Sequence, residues 1–392
     1  MAIEYDPAMG IVASAFRFKS TIIPMVVSGP EFWFLLFLNT LICSARHSGY
    51  FDPKPINANL PWELTGVTGS LMAFFVVFYN SHVFSRYNKI YDLVRLMLEQ
   101  CVRTAVMLRV HMPDERVRWK VAKWVITSVL MFFFERTTPG DLVHDDAKDM
   151  MWDQIRMLGL LEEDEIRALD NHCILLDEDC MPSFMVLQWS MELIRHSTFD
   201  PGPEERDDML SAFYAGLYKV WNCQSQIKET LELPMPFQYF HIMNLMLCVN
   251  LGLWAYSLGC EDSYFAPIIY MFVQMMFQGL RELSGALSDP FGEDEVDFQL
   301  NDWLRPMYVH VYSILGCDQH TTVHVDELDV DNVRFLPEPE KCKHHINMYI
   351  DAEQAHLETL KHKQKKKERK LQKMHDAEAS HNGLVRSDTL RG

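Results

Sequence analysis

Charged residues are missing from three long stretches of this 392-residue chain. No Asp, Glu, Lys or Arg occurs within 64–85, 233–260 or 263–280. A fourth apolar stretch, 21–45, contains only one charged residue, Glu31. Each stretch approaches or exceeds the roughly 20 apolar residues that cross a bilayer. A buried core helix of a large soluble protein is the alternative for any one of them. Four stretches in two pairs predict membrane helices over about 32–45, 66–85, 236–258 and 264–280.

Several sequence signals are also missing. The first 20 residues have no apolar core, so they predict no signal peptide. No Gly-rich phosphate loop, G-x-S-x-G or H-E-x-x-H occurs, so nothing points to a nucleotide enzyme, a serine hydrolase or a zinc protease. The nine cysteines form no C-x-x-C pair, so we expect reduced thiols and no zinc site. From these absences we predict that the protein is not an enzyme.

Alternation of β-branched and polar residues is almost absent, which predicts an all-α fold. Apolar residues recur at helical spacing through the polar middle region, as in Ile90, Leu93 and Met97. The apolar run 121–134 is short and contains Lys123, so we interpret it as the core of a soluble helical bundle. The predicted organisation is an interfacial N-terminal segment 1–31, membrane helices 32–86, a cytosolic helical region 87–232, membrane helices 233–288, an acidic turn and cytosolic wrap 289–340, and a charged, partly disordered tail 341–392.

The net charge of −18 disfavours nucleic acid as a partner of the main body. Basic residues concentrate instead in 361–373, where eight Lys or Arg accompany one Glu. This tail segment could contact anionic membrane lipid or stay solvated. Two helical hairpins put both termini and the middle region on one side of the membrane. The basic tail favours the cytoplasmic side.

The second apolar stretch contains a possible constriction. Phe74 and Phe78 are four residues apart, so they share one helix face, and Ser70 lies one turn earlier. Bulky apolar side chains that face inward in an oligomer form a barrier that opens and closes by wetting and dewetting. The alternative is that the two phenylalanines are ordinary core or lipid-facing residues.

An acidic turn follows the fourth apolar stretch. Five acids occur in nine positions, 289–297, around the turn Pro290-Phe291-Gly292. Asp294 and Asp297 are three apart, so one helical turn would bring their carboxylates to one face. Calcium accepts six to eight carboxylate and carbonyl oxygens in adaptable geometry, so the turn is a candidate calcium site. A solvated turn that ends a helix is the alternative.

These features together resemble the bestrophin family of anion channels. The turn reads DPFGEDEVDF over 289–298, close to the family's calcium-binding sequence of Asn-Pro-Phe-Gly-Glu followed by acids. The spacing of Phe74 and Phe78, eight residues before Arg86, resembles the family's pore-neck helix. The likeness covers about residues 1–340 and is most specific at the turn.

The resemblance implies a homopentamer around a central pore, with four membrane helices and a cytosolic helical part in each subunit. It implies passive conduction of chloride and bicarbonate, in the plasma membrane or an organelle membrane. It implies calcium as the bound ion and assigns two groups of site residues. The first group binds calcium, with Asp294 and Asp297 through side chains, and Ala286, Asp289 and about Gly10 of the adjacent N-terminal segment through backbone oxygens. The second group, in the pore neck, is Ser70, Phe74 and Phe78.

The chain departs from the family pattern at three of these positions. Ser70 replaces a third apolar neck residue, which shortens the expected barrier. Asp289 replaces an asparagine and adds charge, and Ala286 replaces a glutamine.

Two other functions stay open from sequence alone. One is a calcium-binding membrane scaffold or channel regulator that binds partners through 361–373, and the other is a membrane-bound enzyme with a metal in the acidic turn.

Overall fold

The computed structural model describes residues 10, 18, 21–50, 60, 62–137, 144–176, 181–197, 206–232, 237–261, 263–292 and 296–316. Helices and their connecting turns make up this part of the chain, and no strand occurs in it. The all-α prediction is confirmed. The helices are α1 (Ile22–Ser28), α2 (Pro30–His47), α3 (Trp62–His111), α4 (Glu115–Thr137), α5 (His144–Met157), α6 (Glu163–Leu176), α7 (Pro182–His196), α8 (Arg206–Glu232), α9 (Phe237–Gly259), α10 (Ala266–Ala286) and α11 (Leu300–Gly316).

The chain divides into two compact units. The first comprises Met1–Thr137 and Met151–Leu336, and it contains all the described helices except the beginning of α5. The second comprises Thr138–Met150 and Pro337–Gly392. Of the second unit, the structure describes residues 144–150 alone. The basic tail segment 361–373 therefore lies outside the described residues, and its predicted role stays a prediction.

The four predicted stretches are helical, as α2, the first part of α3, α9 and α10. By length and hydropathy, α3 and α9 can each cross a membrane. Helices α1 and α2 meet that criterion together, although the chain bends by 70° between them. The bend occurs at Gly29-Pro30, where Gly29 is extended and Pro30 begins α2. Proline is well tolerated there because its fixed φ suits the first helical position.

The few buried polar side chains of these helices have hydrogen-bond partners inside the bundle. Buried Asn39 on α2 donates from Nδ2 to the Ala255 carbonyl, over 2.7 Å. Buried Gln274 on α10 donates from Nε2 to the Phe32 carbonyl, over 2.9 Å. Large apolar side chains cover the outer faces instead, among them Trp33, Phe37, Ile242, Val249, Ile268, Phe272 and Met276. This arrangement is expected in lipid, where polar groups must find partners inside the bundle.

Helix α10 does not meet the hydropathy criterion by itself. Its polar residues Gln274 and Gln278 are buried, and Arg281 and Glu282 lie near its end. Its exposed face is apolar, because Ile268, Phe272 and Met276 are exposed and follow one another at four-residue spacing. The exposed surface of α10 is therefore compatible with lipid even though its average hydropathy is low.

Helix α3 is much longer than a membrane helix needs to be. It has 50 residues and is about 75 Å long at 1.5 Å per residue. A hydrocarbon core of about 30 Å accounts for less than half of that length. The rest continues into the helical bundle, so the boundary that we predicted at 86/87 lies inside one unbroken helix.

The bundle next to the membrane helices is built around α4. Its buried residues include Val121 and every residue from Trp124 to Phe134. Helix α7 packs closely against α4, while α8 and α11 pack against the long helix α3. The predicted role of 121–134 as the core of a helical bundle is confirmed.

In the described part of this bundle, one half-buried carboxyl group has an Oε1 atom that is shielded from solvent and has no hydrogen-bond partner. Glu135 lies near the end of α4, and burial raises its pKa to about 7 against the favourable charges of Arg136 and Lys228. The folded state then binds this proton more tightly than the unfolded state. The stabilising contribution is present below about pH 4.5 and is lost as the pH rises through about 7.

We therefore expect Glu135→Gln to flatten the pH dependence of stability. The amide keeps the side-chain shape but cannot ionise. Thermal unfolding of the purified protein between about pH 5 and 8 should show a falling midpoint for the wild type and a smaller fall for the variant. Exposed Glu99→Gln is the control. Equal pH slopes in all three proteins would contradict the assignment to Glu135.

Candidate functional site

The acidic turn connects the end of α10 to the start of α11. Its described parts are closed by a hydrogen bond of 2.9 Å from the Phe298 N–H to the Pro290 carbonyl. Asp289 tightens the first half, because its Oδ1 accepts a hydrogen bond of 3.3 Å from the Phe291 N–H. Asp289 itself is exposed. The described parts of the turn are thus connected by a backbone hydrogen bond, and one acid stabilises the first part.

Pro290 determines how α10 ends. In a continuing helix, the Ala286 carbonyl would accept a hydrogen bond from the N–H four residues later, at position 290. Proline has no N–H, so this bond cannot form. Ala286 is the last residue of α10 and is buried. Its carbonyl oxygen therefore accepts no i+4 backbone hydrogen bond of the helix, and it lies beside the acidic turn.

Gly292 brings the oxygens of two aspartates together. A Cβ atom at this position would lie 2.9 Å from Asp297 Oδ2 and 3.5 Å from both the carbonyl oxygen and Oδ2 of Asp289. The absence of a side chain leaves the space in which these three oxygens converge. Asp297 is buried, and its carboxylate points back into the turn.

Two phenylalanines of the turn fix it to the bundle. The Phe291 and Phe298 rings pack edge to face with centroids 5.6 Å apart, and both are buried. Phe291 also packs against Phe133 of α4, at 6.1 Å. Phe298 packs against Tyr87 of α3 at 4.8 Å and Trp303 of α11 at 5.2 Å. Sequence reasoning missed this aromatic cluster.

Helix α3 contacts the turn through two further side chains. Tyr87 donates its hydroxyl hydrogen to the Val296 carbonyl, over 2.8 Å. The preceding residue, Arg86, interacts electrostatically with Asp289 and donates to the Leu231 carbonyl over 3.2 Å. Arg86 therefore lies between the acidic turn and the end of α8.

The predicted calcium ligands are only partly brought together. Asp289 and Asp297 meet at Gly292, and Ala286 ends the helix beside them. Asp294 lies outside the described residues. Gly10 is exposed with nothing within 4 Å of its Cβ position, so its predicted contact, which involves an adjacent segment, stays a prediction. Among described side chains, no group of three or more His, Cys, Asp or Glu is arranged to hold a metal.

The helical spacing argument for the two aspartates was wrong at Asp297. Residues 296–299 are not helical, and α11 begins only at Leu300. The Asp297 carboxylate reaches the site because Gly292 permits a close approach.

The predicted neck residues form a line on the exposed side of α3. The Phe74 and Phe78 rings stack with centroids 6.2 Å apart and an interplanar angle of 18°. They are 64% and 54% exposed in the single chain. Ser70 is also exposed, and its hydroxyl donates to the Gly66 carbonyl over 2.8 Å, so it presents little polarity to the surface.

The opposite side of the same helix is buried. Met72, Val76, Tyr79 and Val83 pack into a core with residues of α9 and α10. At Gly69 the packing is so close that a Cβ atom would lie 2.3 Å from the Trp254 ring. The neck residues are therefore presented by a helix whose back is firmly held.

The fold and site define a helical membrane protein in which one long helix presents an exposed line of phenylalanines and also contacts an acidic turn. A family model described as "Bacterial/Fungal Bestrophin protein" matches residues 6–312. Bestrophin-6 of Caenorhabditis elegans is 18% identical over 315 residues, which cover 77% of this chain and 79% of that protein.

Solved structures show the same fold. A variant of a bacterial bestrophin homologue from Klebsiella pneumoniae aligns with a TM-score of 0.59 and 18% identity, over 72% of this chain and 98% of that chain. The structure of that homologue phased with zinc aligns with a TM-score of 0.58 and 17% identity, over 73% and 98%.

The chain belongs to the bestrophin family, which is known as a family of anion channels rather than enzymes. The resemblance drawn from the turn and the phenylalanine spacing is thereby confirmed. Members of the family are integral membrane proteins, and their homologues are oligomeric channels.

Proposed function

We propose that this protein conducts chloride and bicarbonate passively through a pore on the axis of a homopentamer. Phe74 and Phe78, with Ser70 beside them, form the neck of that pore. Calcium held at the acidic turn stabilises the open neck. Family membership supports the anion-channel part of this proposal, and the geometry of α3 supports the rest.

An exposed apolar line is what a hydrophobic neck requires of each subunit. Two large rings that are more than half exposed in the single chain are available to meet their symmetry copies. No Asp, Glu, Lys or Arg lies within 64–85, so the barrier would come from dewetting and not from charge. An anion crosses such a neck only when the rings withdraw far enough for water to enter.

The observation that carries the proposal is the continuity of α3. Phe78 and Tyr87 are nine residues apart on one unbroken helix, about 14 Å along its axis. Tyr87 hydrogen-bonds the turn, and Phe78 faces the proposed pore. A shift of the turn can therefore rotate or displace the neck rings without any intervening loop.

The residues of the turn fit a hard cation. The Asp297 carboxylate, the Asp289 carbonyl and the leftover Ala286 carbonyl are oxygen donors of the kind that calcium accepts, and Asp294 and Gly10 would complete the set. Bound calcium would supply positive charge to an otherwise acidic turn. Asp297 then orients Val296 and Phe298, which contact α3 directly. A ligand biases the neck only by binding its open state more tightly.

We expect Asp297→Asn to weaken calcium activation strongly. The amide keeps the size of the side chain but removes a charged oxygen ligand, and a loss of about tenfold in calcium affinity corresponds to about 1.4 kcal/mol. Recordings from reconstituted protein at stepped calcium should show the shift, with exposed Asp302→Asn on α11 as the control. The double variant Asp294→Ala with Asp297→Ala should abolish the response. Unchanged calcium dependence in that double variant would refute the calcium site.

A further inference from the structure

A cavity of about 620 Å³ lies in the angle between α1 and α2. The 70° bend at Gly29-Pro30 opens it, and both of these residues line it. Helices α9 and α10 form its other walls. Its volume is within the range of about 300–1,000 Å³ that is usual for sites that bind small organic ligands.

The cavity is charged at one end and apolar at the other. Arg281 and Glu282 lie near the end of α10, Glu31 lies in the first turn of α2, and Asn244 lies in the second turn of α9. Because α9 and α10 form an antiparallel hairpin, these positions are at the same end of the membrane helices. The remaining wall is formed by apolar side chains, among them Met25, Phe34, Leu35, Leu247 and Leu251.

The charged end is next to the helical bundle. Helix α2 starts there, and α3, which returns across the membrane, continues from that side into the bundle. Leu251 is seven residues beyond Asn244 on α9, and therefore about 10 Å further into the membrane. Charge at the surface and apolar walls below it match the two parts of a lipid that enters from the leaflet facing the bundle.

The charges themselves indicate which head group fits. The Arg281 guanidinium forms an ion pair with Glu282, and its Nε donates to Asn244 Oδ1 over 3.4 Å. Glu31 adds a second carboxylate. The cavity thus offers one guanidinium and the amide NH₂ groups of Asn244 and Gln278 as donors, and two carboxylates as acceptors. A matching ligand needs an anionic group and a hydrogen-bonding cation.

We propose that this cavity binds one phospholipid with a primary-amine head group, of the phosphatidylethanolamine type. The phosphate contacts Arg281 and the Asn244 amide, since guanidinium and phosphate form strong charge-assisted hydrogen bonds. The ammonium group, with three N–H donors, contacts Glu31 and Glu282. An acyl chain lies along Leu247 and Leu251.

Other lipids fit this set of charges less well. Phosphatidylglycerol brings no cation for the two carboxylates. Phosphatidylcholine has a cation without any N–H, and such groups are usually bound by aromatic cages.

The binding of lipid in this cavity does not depend on whether the chain conducts anions. A failure of the lipid proposal and a failure of the proposed function are therefore distinguishable.

Native mass spectrometry of the purified full-length protein tests the proposal directly. After delipidation, the protein is incubated with dioleoyl phosphatidylethanolamine, phosphatidylcholine or phosphatidylglycerol at equal concentration. We expect one phosphatidylethanolamine per chain to be retained, with about tenfold preference over the other two lipids. Equal retention of all three, or retention of none because a second subunit fills the cavity, would overturn the proposal.

Two sets of variants separate the head-group site from general lipid contact. Glu31→Gln with Glu282→Gln should reverse the preference towards phosphatidylglycerol, because Arg281 then lacks an internal counter-charge. Cys248→Trp should block retention, because Cys248 is exposed and lines the cavity. Leu245→Trp is the matched control, since it is exposed on α9 outside the cavity. Unchanged lipid preference in the double variant, or equal effects of the two tryptophans, would refute the site.

Discussion

Replacement of both Phe74 and Phe78 by alanine is expected to produce an anion current that no longer requires calcium. The two rings are stacked on the exposed face of α3, and no charged residue lies near them on that helix. Removing them from every subunit of a ring widens the neck and makes it easier to wet. Calcium binding at the turn then no longer controls conduction, because the hydrophobic barrier in the neck is absent.

The effect should be large. We expect the current at nominally zero calcium to rise at least about tenfold relative to the wild type, which is a change of about 1.4 kcal/mol in the opening equilibrium. Phe272→Ala is the matched control because Phe272 is 55% exposed but lies on α10 and not on α3. A double variant that still closes without calcium, or a control that opens equally, would remove these residues from the neck.

The second large effect is expected from Gly292→Ala. The new Cβ atom would lie 2.9 Å from Asp297 Oδ2, closer than such contacts normally occur, so the carboxylate must move away. Both Asp289 oxygens at 3.5 Å would also be shielded by the methyl group. We expect calcium activation to shift to concentrations at least about tenfold higher, while channels at saturating calcium still open.

Gly285→Ala is the control for this variant. It makes the same chemical change in the last turn of α10, where nothing lies within 4 Å of the Cβ position. A helical alanine there should be neutral or slightly stabilising, by up to about 1 kcal/mol. If both variants shift the calcium response equally, the convergence of oxygens at Gly292 is not what controls it.

The membrane helices could be predicted from the sequence because their signal is local. The absence of charge over 64–85 or 233–260 is visible without any tertiary information; α3 contains the first stretch, and α9 lies within the second. The continuation of α3 beyond Arg86 was not predicted. Charge marks where a helix leaves lipid, but the backbone hydrogen bonds continue regardless of that boundary.

The acidic turn was located correctly by composition, but its geometry depends on residues that are distant in sequence. Tyr87 and Val296 are 209 residues apart, and Phe133 and Phe291 are 158 residues apart. No local pattern links such pairs. The position of Asp297 was misjudged because a three-residue spacing was assumed to be helical, whereas Asp297 precedes α11 and its carboxylate lies close to Gly292.

The measurement that tests the account most directly is a planar-bilayer recording of the purified wild-type protein. Chloride and bicarbonate are placed on opposite sides, and free calcium is stepped on the side that carries the helical bundle. The account predicts a current that both anions carry, that excludes sodium and potassium, and that increases with calcium. A current that favours cations, or no anion current at any calcium concentration, would contradict it.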